Sequence, residues 1–250
     1  MIAILLAVTL AFQAPANEGE YLYRTLLLRA APGELLDVID MYVDRMPTYR
    51  MIGEPPFMMR HSQGDHWDLL LLFPMGSFSE YYSQERAFRR ATAGRAARLP
   101  WPAFERAVEQ LVAWREEVYV LGPPPDVVAE AFGENSYYHV EMFVALPGQR
   151  EALLEERRME NRYRAAIGLP ENLIFKRVAG AHWDSYTIGF YRDIRHFAAS
   201  ADIPDDKKEA GARSAGFASA DRIGTYLRRL IQWHNDTLAT AIPNLSPTGG

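Results

Sequence analysis

The sequence predicts an α+β fold made of two tandem copies of one βαββαβ unit. The segment Gly64–Asp68 (GDHWD) returns as Gly180–Asp184 (GAHWD), each time directly before a strand-like apolar run. The match continues in the same order along both halves, which separates it from coincidence. The other matched pairs are Pro32-Gly33 with Pro147-Gly148, Ile52-Gly53 with Ile167-Gly168, and Leu111–Glu117 with Leu230–Asp236. The repeat therefore spans roughly a hundred residues, the size of a small domain, and we expect the two halves to pack on each other.

Local patterns predict each element of the first copy. Tyr21–Ala30 is typical of a strand and is closed by the Pro32-Gly33 turn. Apolar residues then recur at helical spacing from Leu35 to Val43, which predicts a helix that ends near Gly53. The elements expected after it are strands Phe57–Gln63 and Trp67–Phe73 joined by a hairpin, a helix from Ser77 with a Ser77/Glu80 capping box, a helix Ala103–Glu117, and a closing strand Val118–Leu121.

The second copy is predicted to repeat this order. Strand Tyr137–Leu146 and helix Gln149–Ile167 come first, followed by strands Leu173–Ala179 and His182–Tyr191. The last elements expected are a short helix Ile194–Ala199, a mobile loop over residues 200–219, and a long helix from about Ala220 to Ala239. The closing strand of this half is not evident from the pattern.

The chain divides into five predicted segments. Residues 1–16 are expected to be a secretory signal peptide, because a short apolar run precedes Ala14 and Ala16, the small residues that signal peptidase requires. The alternative is a short buried N-terminal strand or helix. We expect repeat 1 over residues 17–122, a proline-rich linker over 123–135, repeat 2 over 136–242 and a flexible tail over 243–250. No apolar run is long enough to span a membrane, so the mature protein is expected to be periplasmic or secreted.

The composition excludes several classes of function. The chain has no cysteine, which excludes disulfides, thiolate metal sites and cysteine nucleophiles. Its formal net charge of −5 argues against nucleic acid as a partner, because phosphate binding needs a concentrated basic face. Glycine-rich phosphate loops, the Gly-x-Ser-x-Gly elbow and the His-Glu-x-x-His motif are also absent from the sequence. We expect a small molecule as partner, and a monomer or homodimer.

The order strand, helix, strand, strand, helix, strand is the ferredoxin-like plan, in which helices cover one face of a four-stranded antiparallel sheet. Leu69–Leu72 is apolar on both faces of its strand, as expected if the other faces of the two sheets close on each other. On these grounds the chain resembles the dimeric α/β-barrel superfamily, with the two protomers fused over most of residues 20–240. The resemblance implies two ferredoxin-like repeats packed as a pseudo-dimeric α/β barrel, and it carries over no catalytic motif.

The repeated segment places a His-x-Asp pair at equivalent positions in the two halves. His66 and Asp68 share one strand face, as do His182 and Asp184. A histidine beside a carboxylate can act as a base or as a metal ligand, so these four residues are candidate ligand contacts. The competing interpretation is structural: the aspartate caps the hairpin backbone, the histidine satisfies a turn carbonyl, and the tryptophan anchors the sheet to its helix. Retention in both copies favours the structural interpretation.

A His-x-Glu pair, His139 and Glu141, is peculiar to the second half. Alternation places these two side chains on the opposite strand face from Val140 and Met142. If the apolar face meets the helices, the polar pair lies in the space between the two sheets, where burial makes its pKa values strongly dependent on the environment. His139 is therefore the candidate acid/base and Glu141 the residue that orients it. The alternative is a buried ion-pair network that fixes the sheets.

Four further residues are candidates for this predicted site. Arg24 or Lys176 would lie near the His-x-Glu pair and Arg24 would balance its charge, while Tyr137 or Tyr138 would contact the ligand. Heme is an alternative ligand, because the resemblance extends to heme-handling enzymes and to cofactor-free oxygenases. One of His139, His182 and His234 could be its axial ligand. No residue spacing predicts a metal site, so the cofactor is left open.

Together these patterns predict an exported protein that binds a small, partly aromatic molecule in a cavity of a tandem α/β barrel. Acid/base or oxygenase-type chemistry is one outcome. The alternative is a non-enzymatic binding or assembly module whose His-Trp-Asp segments are purely structural.

Overall fold

A computed structural model of the chain describes residues 17–243 and residue 245. The segment expected as a signal peptide, residues 1–16, lies outside the described residues, as does most of the expected tail. Of that tail, Leu245 is described, and its buried side chain packs on the core of the first half.

Eight antiparallel strands close into one barrel. The first half supplies β1 (Tyr21–Ala30), β2 (Phe57–Gln63), β3 (Leu69–Gly76) and β4 (Val112–Gly122), and the second half β5 (Tyr137–Ala145), β6 (Leu173–Gly180), β7 (Ser185–Tyr191) and β8 (Ile231–Ala241). Around the barrel the order is β1-β3-β2-β8-β5-β7-β6-β4. Each half is thus one ferredoxin-like sheet, and the halves join where β2 pairs with β8 and β4 pairs with β6. This confirms the expected α+β fold of two repeats packed as a pseudo-dimeric α/β barrel.

Helices cover the outside of the barrel. The first half has α1 (Leu35–Ile52), α2 (Phe78–Tyr81), α3 (Gln84–Ala96) and α4 (Trp101–Leu111). Helix α5 (Pro125–Glu134) follows, and the second half has α6 (Arg150–Ile167), α7 (Ile194–Ala198), α8 (Asp205–Ser214) and α9 (Ile223–Leu227). No helix within residues 17–243 is both long and apolar enough to cross a membrane.

The barrel interior is a filled apolar core. One face of each strand points inward, so that Leu27, Leu70, Val140 and Met142 pack in a single cluster. The segment expected as a linker, residues 123–135, carries α5, and its buried side chain Phe132 packs on this cluster at one end of the barrel. A packed interior leaves the space between each sheet and its outer helices as the place where a ligand can bind.

Three element predictions were wrong, all in the last part of a repeat. The predicted helix Ala103–Glu117 ends at Leu111, and the predicted helix Ala220–Ala239 gives way to β8. The charged runs in these segments favour helix locally, but each strand pairs with neighbours on both sides in the closed barrel, and that pairing prevails. The loop expected over residues 200–219 contains α8.

Candidate functional site

A cavity of about 560 Å³ lies in the first half, between the outer face of the sheet and helices α1 and α4. Leu26 and Leu28 of β1 form part of its floor. Aromatic rings from five elements line the cavity. These rings pack on one another: the ring centroids of Tyr49 and Trp101 are 5.3 Å apart, and those of Tyr42 and Phe104 are 5.6 Å apart. The residue types favour a flat, partly aromatic molecule.

Arg24 supplies a positive charge on the floor of this cavity. Its Nη1 donates to Glu117 Oε2 at 3.2 Å, and its guanidinium lies 4.3 Å from the centre of the Phe73 ring. The Nε atom of Arg24 is buried and has no hydrogen-bond partner among the described residues. Burial acts to lower the pKa of Arg24, but the neighbouring Tyr81 and Glu117 outweigh it and raise the pKa, so the guanidinium stays charged. An unpartnered N–H of a charged group is a strong site for an anionic oxygen.

Two tyrosines of α1 face the same space. Burial raises the pKa of Tyr42 to about 12 and raises the pKa of Tyr49 above its ordinary value. Both hydroxyls are therefore protonated at neutral pH. Both residues line the cavity, so their hydroxyls can donate to a bound molecule.

Helix α3 is fixed over the cavity by a buried carboxylate. Glu54, just after α1, accepts from Arg86 Nη2 at 2.7 Å and from Arg90 Nε at 3.0 Å. Arg90 also lies 3.6 Å from the centre of the Tyr81 ring, and its carbonyl accepts from Trp101 Nε1 at 2.7 Å. These contacts tie α2, α3 and α4 to one another, so the cavity walls are preorganised.

The predicted pair His139 and Glu141 lies elsewhere. Val140 and Met142 point into the barrel interior, so the two polar side chains lie on the outer face, beneath α6. The expectation that they lie between the sheets was wrong, because alternation shows that two faces differ but not which face meets the helices. Arg24 and Lys176 are not their partners: Arg24 pairs with Glu117 and Lys176 with Glu20.

A dense ion network occupies this part of the second half. Arg157 of α6 is fully buried and contacts Glu156 at 2.5 Å, Glu160 at 2.8 Å and Glu141 at 3.7 Å. Burial raises the pKa of Glu156 to about 7 and also raises the pKa of Glu141. These contacts form a buried ion-pair network, and it joins a sheet to a helix and not two sheets.

His139 is paired with Asp236 on β8, with Nε2 3.0 Å from Oδ1. Burial acts to lower the pKa of His139, but the hydrogen bond with Asp236 and the charge of Glu141 outweigh it, so the pKa lies above its usual value. The same hydrogen bond lowers the pKa of Asp236. His139 is thus held as half of an ion pair and is not a free base.

In the two His-Trp-Asp segments the aspartates bind backbone as the structural interpretation expects, whereas the tryptophans and histidines differ from it. Asp68 Oδ2 accepts from the Ala30 amide at 2.9 Å, and Asp184 Oδ2 accepts from the Ala145 amide at 2.9 Å, so each aspartate ties its hairpin to the neighbouring strand. The tryptophans that precede them are buried in the barrel interior and do not anchor the sheets to helices.

Their histidines remain at the surface. His66 is bonded to Asp65, and His182 lies 3.4 Å from Glu116, with both imidazoles more than half exposed. The two candidate tyrosines are also separated from the cavity. Tyr138 is buried in the barrel and donates to the Asn135 carbonyl, whereas Tyr137 packs on Phe197 at the outer face. Of the residues predicted for a site, only Arg24 lies in the cavity.

The first-half cavity does not fit a histidine-ligated heme. No histidine or methionine is among the residues that line the first-half cavity. His182 lies at an exposed hairpin, and Asp236 binds both His139 and His234, the latter at 3.1 Å.

No protein-family model matches the sequence, and no curated protein sequence is significantly similar to it. Solved structures do share the fold. An anthrone oxidase-like protein superposes with a TM-score of 0.55 at 10% identity, covering 90% of this chain and 94% of that chain. A candidate monooxygenase from Lactobacillus acidophilus NCFM gives 0.53 at 7% identity, covering 88% and 93%. A second, from Fusobacterium nucleatum, gives 0.50 at 7% identity, covering 89% and 92%. These likenesses show that the chain has the dimeric α/β-barrel fold.

Most of the cavity residues do not stand out in the sequence. Tyr42, Tyr49, Trp101 and Phe104 read as ordinary apolar positions of amphipathic helices. A comparison of the two halves could have indicated the cavity. Helices α1 and α6 both begin after a Pro-Gly turn and end at a left-handed glycine, so Tyr42 on α1 corresponds to Arg157 on α6.

Proposed function

We propose that the chain binds a small, flat aromatic molecule that carries an anionic oxygen, and that the binding site is the cavity beside Arg24. The observation that carries this proposal is Arg24, a charged side chain that lines a cavity with aromatic walls and whose buried Nε has no hydrogen-bond partner among the described residues. A charged hydrogen-bond donor that is buried without an acceptor costs free energy, and a ligand that supplies the acceptor removes this cost.

The size and lining of the cavity support this proposal. A volume of about 560 Å³ lies within the range typical of small-molecule sites. Apolar and aromatic side chains supply contact area, while Arg24 and the hydroxyls of Tyr42 and Tyr49 would orient the bound molecule through hydrogen bonds. An aromatic carboxylate or a phenolate matches this set.

We extend the proposal to oxygenase-type chemistry, since proteins of this fold are named as an anthrone oxidase-like protein and as monooxygenases. An activated CH₂ beside an aromatic ketone would lose a proton to Glu105, which lines the cavity. Arg24 would stabilise the resulting enolate oxygen. Molecular oxygen would then form a C–O bond with the carbanion, and loss of water would leave a new carbonyl, so that CH₂ and O₂ become C=O and H₂O.

Intrinsic tryptophan fluorescence tests the binding step, because Trp101 and Trp114 both line the cavity. We expect 2-naphthoate to quench this fluorescence, and Arg24→Met to weaken its affinity by about tenfold to a hundredfold, the usual worth of a charged hydrogen bond. Affinity for uncharged 2-naphthylmethanol should change little. His139→Met, at the equivalent strand position of the other half, is the matched control. Equal effects of the two variants, or no quenching at millimolar ligand, would contradict the proposal.

Oxygen consumption tests the chemical step. With anthrone as substrate, an oxygen electrode should record a rate above the uncatalysed one, and Glu105→Gln should remove that excess while anthrone still quenches the fluorescence. Binding without added oxygen consumption would leave a non-enzymatic binding protein, the alternative expected from the sequence.

Export is a separate part of the proposal and rests on the pattern of residues 1–16. Mass spectrometry of the protein recovered from the periplasm or medium should find a chain that begins at Asn17. A chain that retains Met1 would contradict it.

A further inference from the structure

We propose that the second half binds a divalent first-row metal ion between β5 and β8, with His139, Glu141 and Asp236 as ligands. One ligand atom from each of these residues lies within 4.8 Å of the others. Glu141 and Asp236 are directly opposite each other in the β5–β8 register, and His139 lies two residues along the same outer face. The ligand set comes from two strands far apart in sequence, which explains why no residue spacing revealed it.

The ligand atoms are already oriented by neighbours. Glu141 Oε2 accepts from Thr187 Oγ1 at 3.2 Å and lies 3.7 Å from Arg157. Asp236 Oδ2 lies 3.1 Å from His234 Nε2 while its other oxygen faces His139. Metal-binding carboxylates generally have such outer partners, which fix the direction of the lone pairs offered to the ion. Thr187 and Arg157 both face Oε2, which leaves Oε1 as the oxygen of Glu141 that can bind an ion.

The surrounding network places further carboxylates near the site. Arg157 is buried and in contact with three of them, those of Glu141, Glu156 and Glu160. One oxygen of Glu156, a fully buried side chain, has no hydrogen-bond partner among the described residues. A divalent ion bound by Glu141 and Asp236 would add positive charge beside these carboxylates.

The site is open to an ion and has no counterpart in the first half. The Asp236 side chain is 52% exposed, which gives a path from solvent. The equivalent positions in the first half are Arg24, Leu26 and Glu117, a set that cannot bind a cation. One imidazole nitrogen with two carboxylate oxygens suits zinc, manganese or ferrous iron.

Calorimetric titration of EDTA-treated, tag-free full-length protein with Zn²⁺ tests the proposal. We expect one Zn²⁺ per chain, and at least a tenfold weaker affinity in both His139→Ala and Asp236→Asn. Thr187→Val should weaken binding by a smaller factor, because it leaves all three ligands in place and removes only one hydrogen bond to Glu141. Glu117→Gln, which changes the position equivalent to Asp236, is the matched control and should bind as the wild type does.

Co²⁺ absorption provides a second readout on variants whose circular dichroism is native. Visible d–d bands should appear in the wild type and in Glu117→Gln and be lost in Asp236→Asn. No Zn²⁺ binding at millimolar concentration, or Zn²⁺ binding that survives both ligand substitutions, would overturn the proposal. It is independent of the first-half cavity, so affinity for 2-naphthoate should be the same with and without Zn²⁺.

Discussion

The two halves of the barrel share one backbone plan but fill the space between sheet and helices differently. In the first half that space is a cavity with Tyr42 on its helix wall and Arg24 on its floor. In the second half Arg157 takes the place of Tyr42, and its carboxylate partners occupy the region. The two halves therefore share the contacts that close the barrel, whereas the side chains between each sheet and its helices have diverged.

The shared contacts lie at the junctions between halves. Gly64 has a φ of +123°, and a Cβ added there would meet the Asp236 carbonyl at 2.1 Å. Gly180 has a φ of +86°, and its Cβ would meet the Glu117 carbonyl at 2.4 Å. Each half thus places a hairpin glycine against the last strand of the other half, which explains why glycine opens both copies of the repeated segment.

The largest effect should come from removing the charge at the centre of the second-half network. Arg157→Leu leaves buried carboxylates without their cation, and we expect a loss of about 3–5 kcal/mol in the free energy of unfolding, measured in urea with EDTA present. Tyr42→Phe at the equivalent position should cost less than about 0.5 kcal/mol, because its hydroxyl faces the cavity. A similar loss of unfolding free energy in the two variants would contradict the proposed difference between the halves.

The pH dependence of stability should reveal the buried carboxylate of the second half. Burial raises the pKa of Glu156 to about 7 in the folded state, above its ordinary value, so the native state holds a proton that the unfolded chain has released. Stability should therefore fall as the pH rises from about 4.5 to about 7, by roughly 3 kcal/mol from this group alone. Glu156→Gln should remove that part of the slope, whereas Glu155→Gln, at an exposed neighbour, should keep it. Parallel slopes in the two variants would contradict the burial argument.

The junction glycines should matter equally in both halves. Gly64→Ala and Gly180→Ala each add a Cβ against backbone at a positive φ, and each should lower the free energy of unfolding by more than about 2 kcal/mol. Gly33→Ala, also at a positive φ but with open space around its Cβ, isolates the conformational cost. If Gly64→Ala costs no more than Gly33→Ala, the close approach between halves is not what requires glycine.

The smallest effect should come from the paired aspartates. Asp68→Ala and Asp184→Ala each leave the strand amide of Ala30 or Ala145 without its acceptor, and each should cost about 1–2 kcal/mol. Thermal unfolding should show a somewhat larger loss in Asp184→Ala, because Asp184 also accepts from Arg177 Nη2 at 2.7 Å. A cost in one half only would show that this contact has diverged too.

Much of the fold could be predicted from the sequence because repetition tested each local pattern twice. The two closing strands could not, since Arg115–Glu117 and His234–Asp236 lack the apolar alternation of a strand and form one only through pairing in the closed barrel. The sequence does not show which side chains of β5 point into the barrel, because both the barrel interior and the outer layer next to this strand are largely apolar.

The candidate site was harder to predict than the fold. Arg24 was selected, but with the wrong partners, because its neighbours Phe73 and Glu117 come from strands distant in sequence. The cavity itself is a property of how α1 and α4 rest on the sheet, which no spacing within one segment encodes.

A crystal structure of the full chain grown with 2-naphthoate tests the central claim most directly. The account predicts the naphthalene ring between β1 and α4 in the first half, with a carboxylate oxygen within hydrogen-bond distance of the Arg24 guanidinium and no naphthoate beneath α6. A naphthoate held beneath α6, or a first-half cavity filled by collapsed side chains, would contradict it.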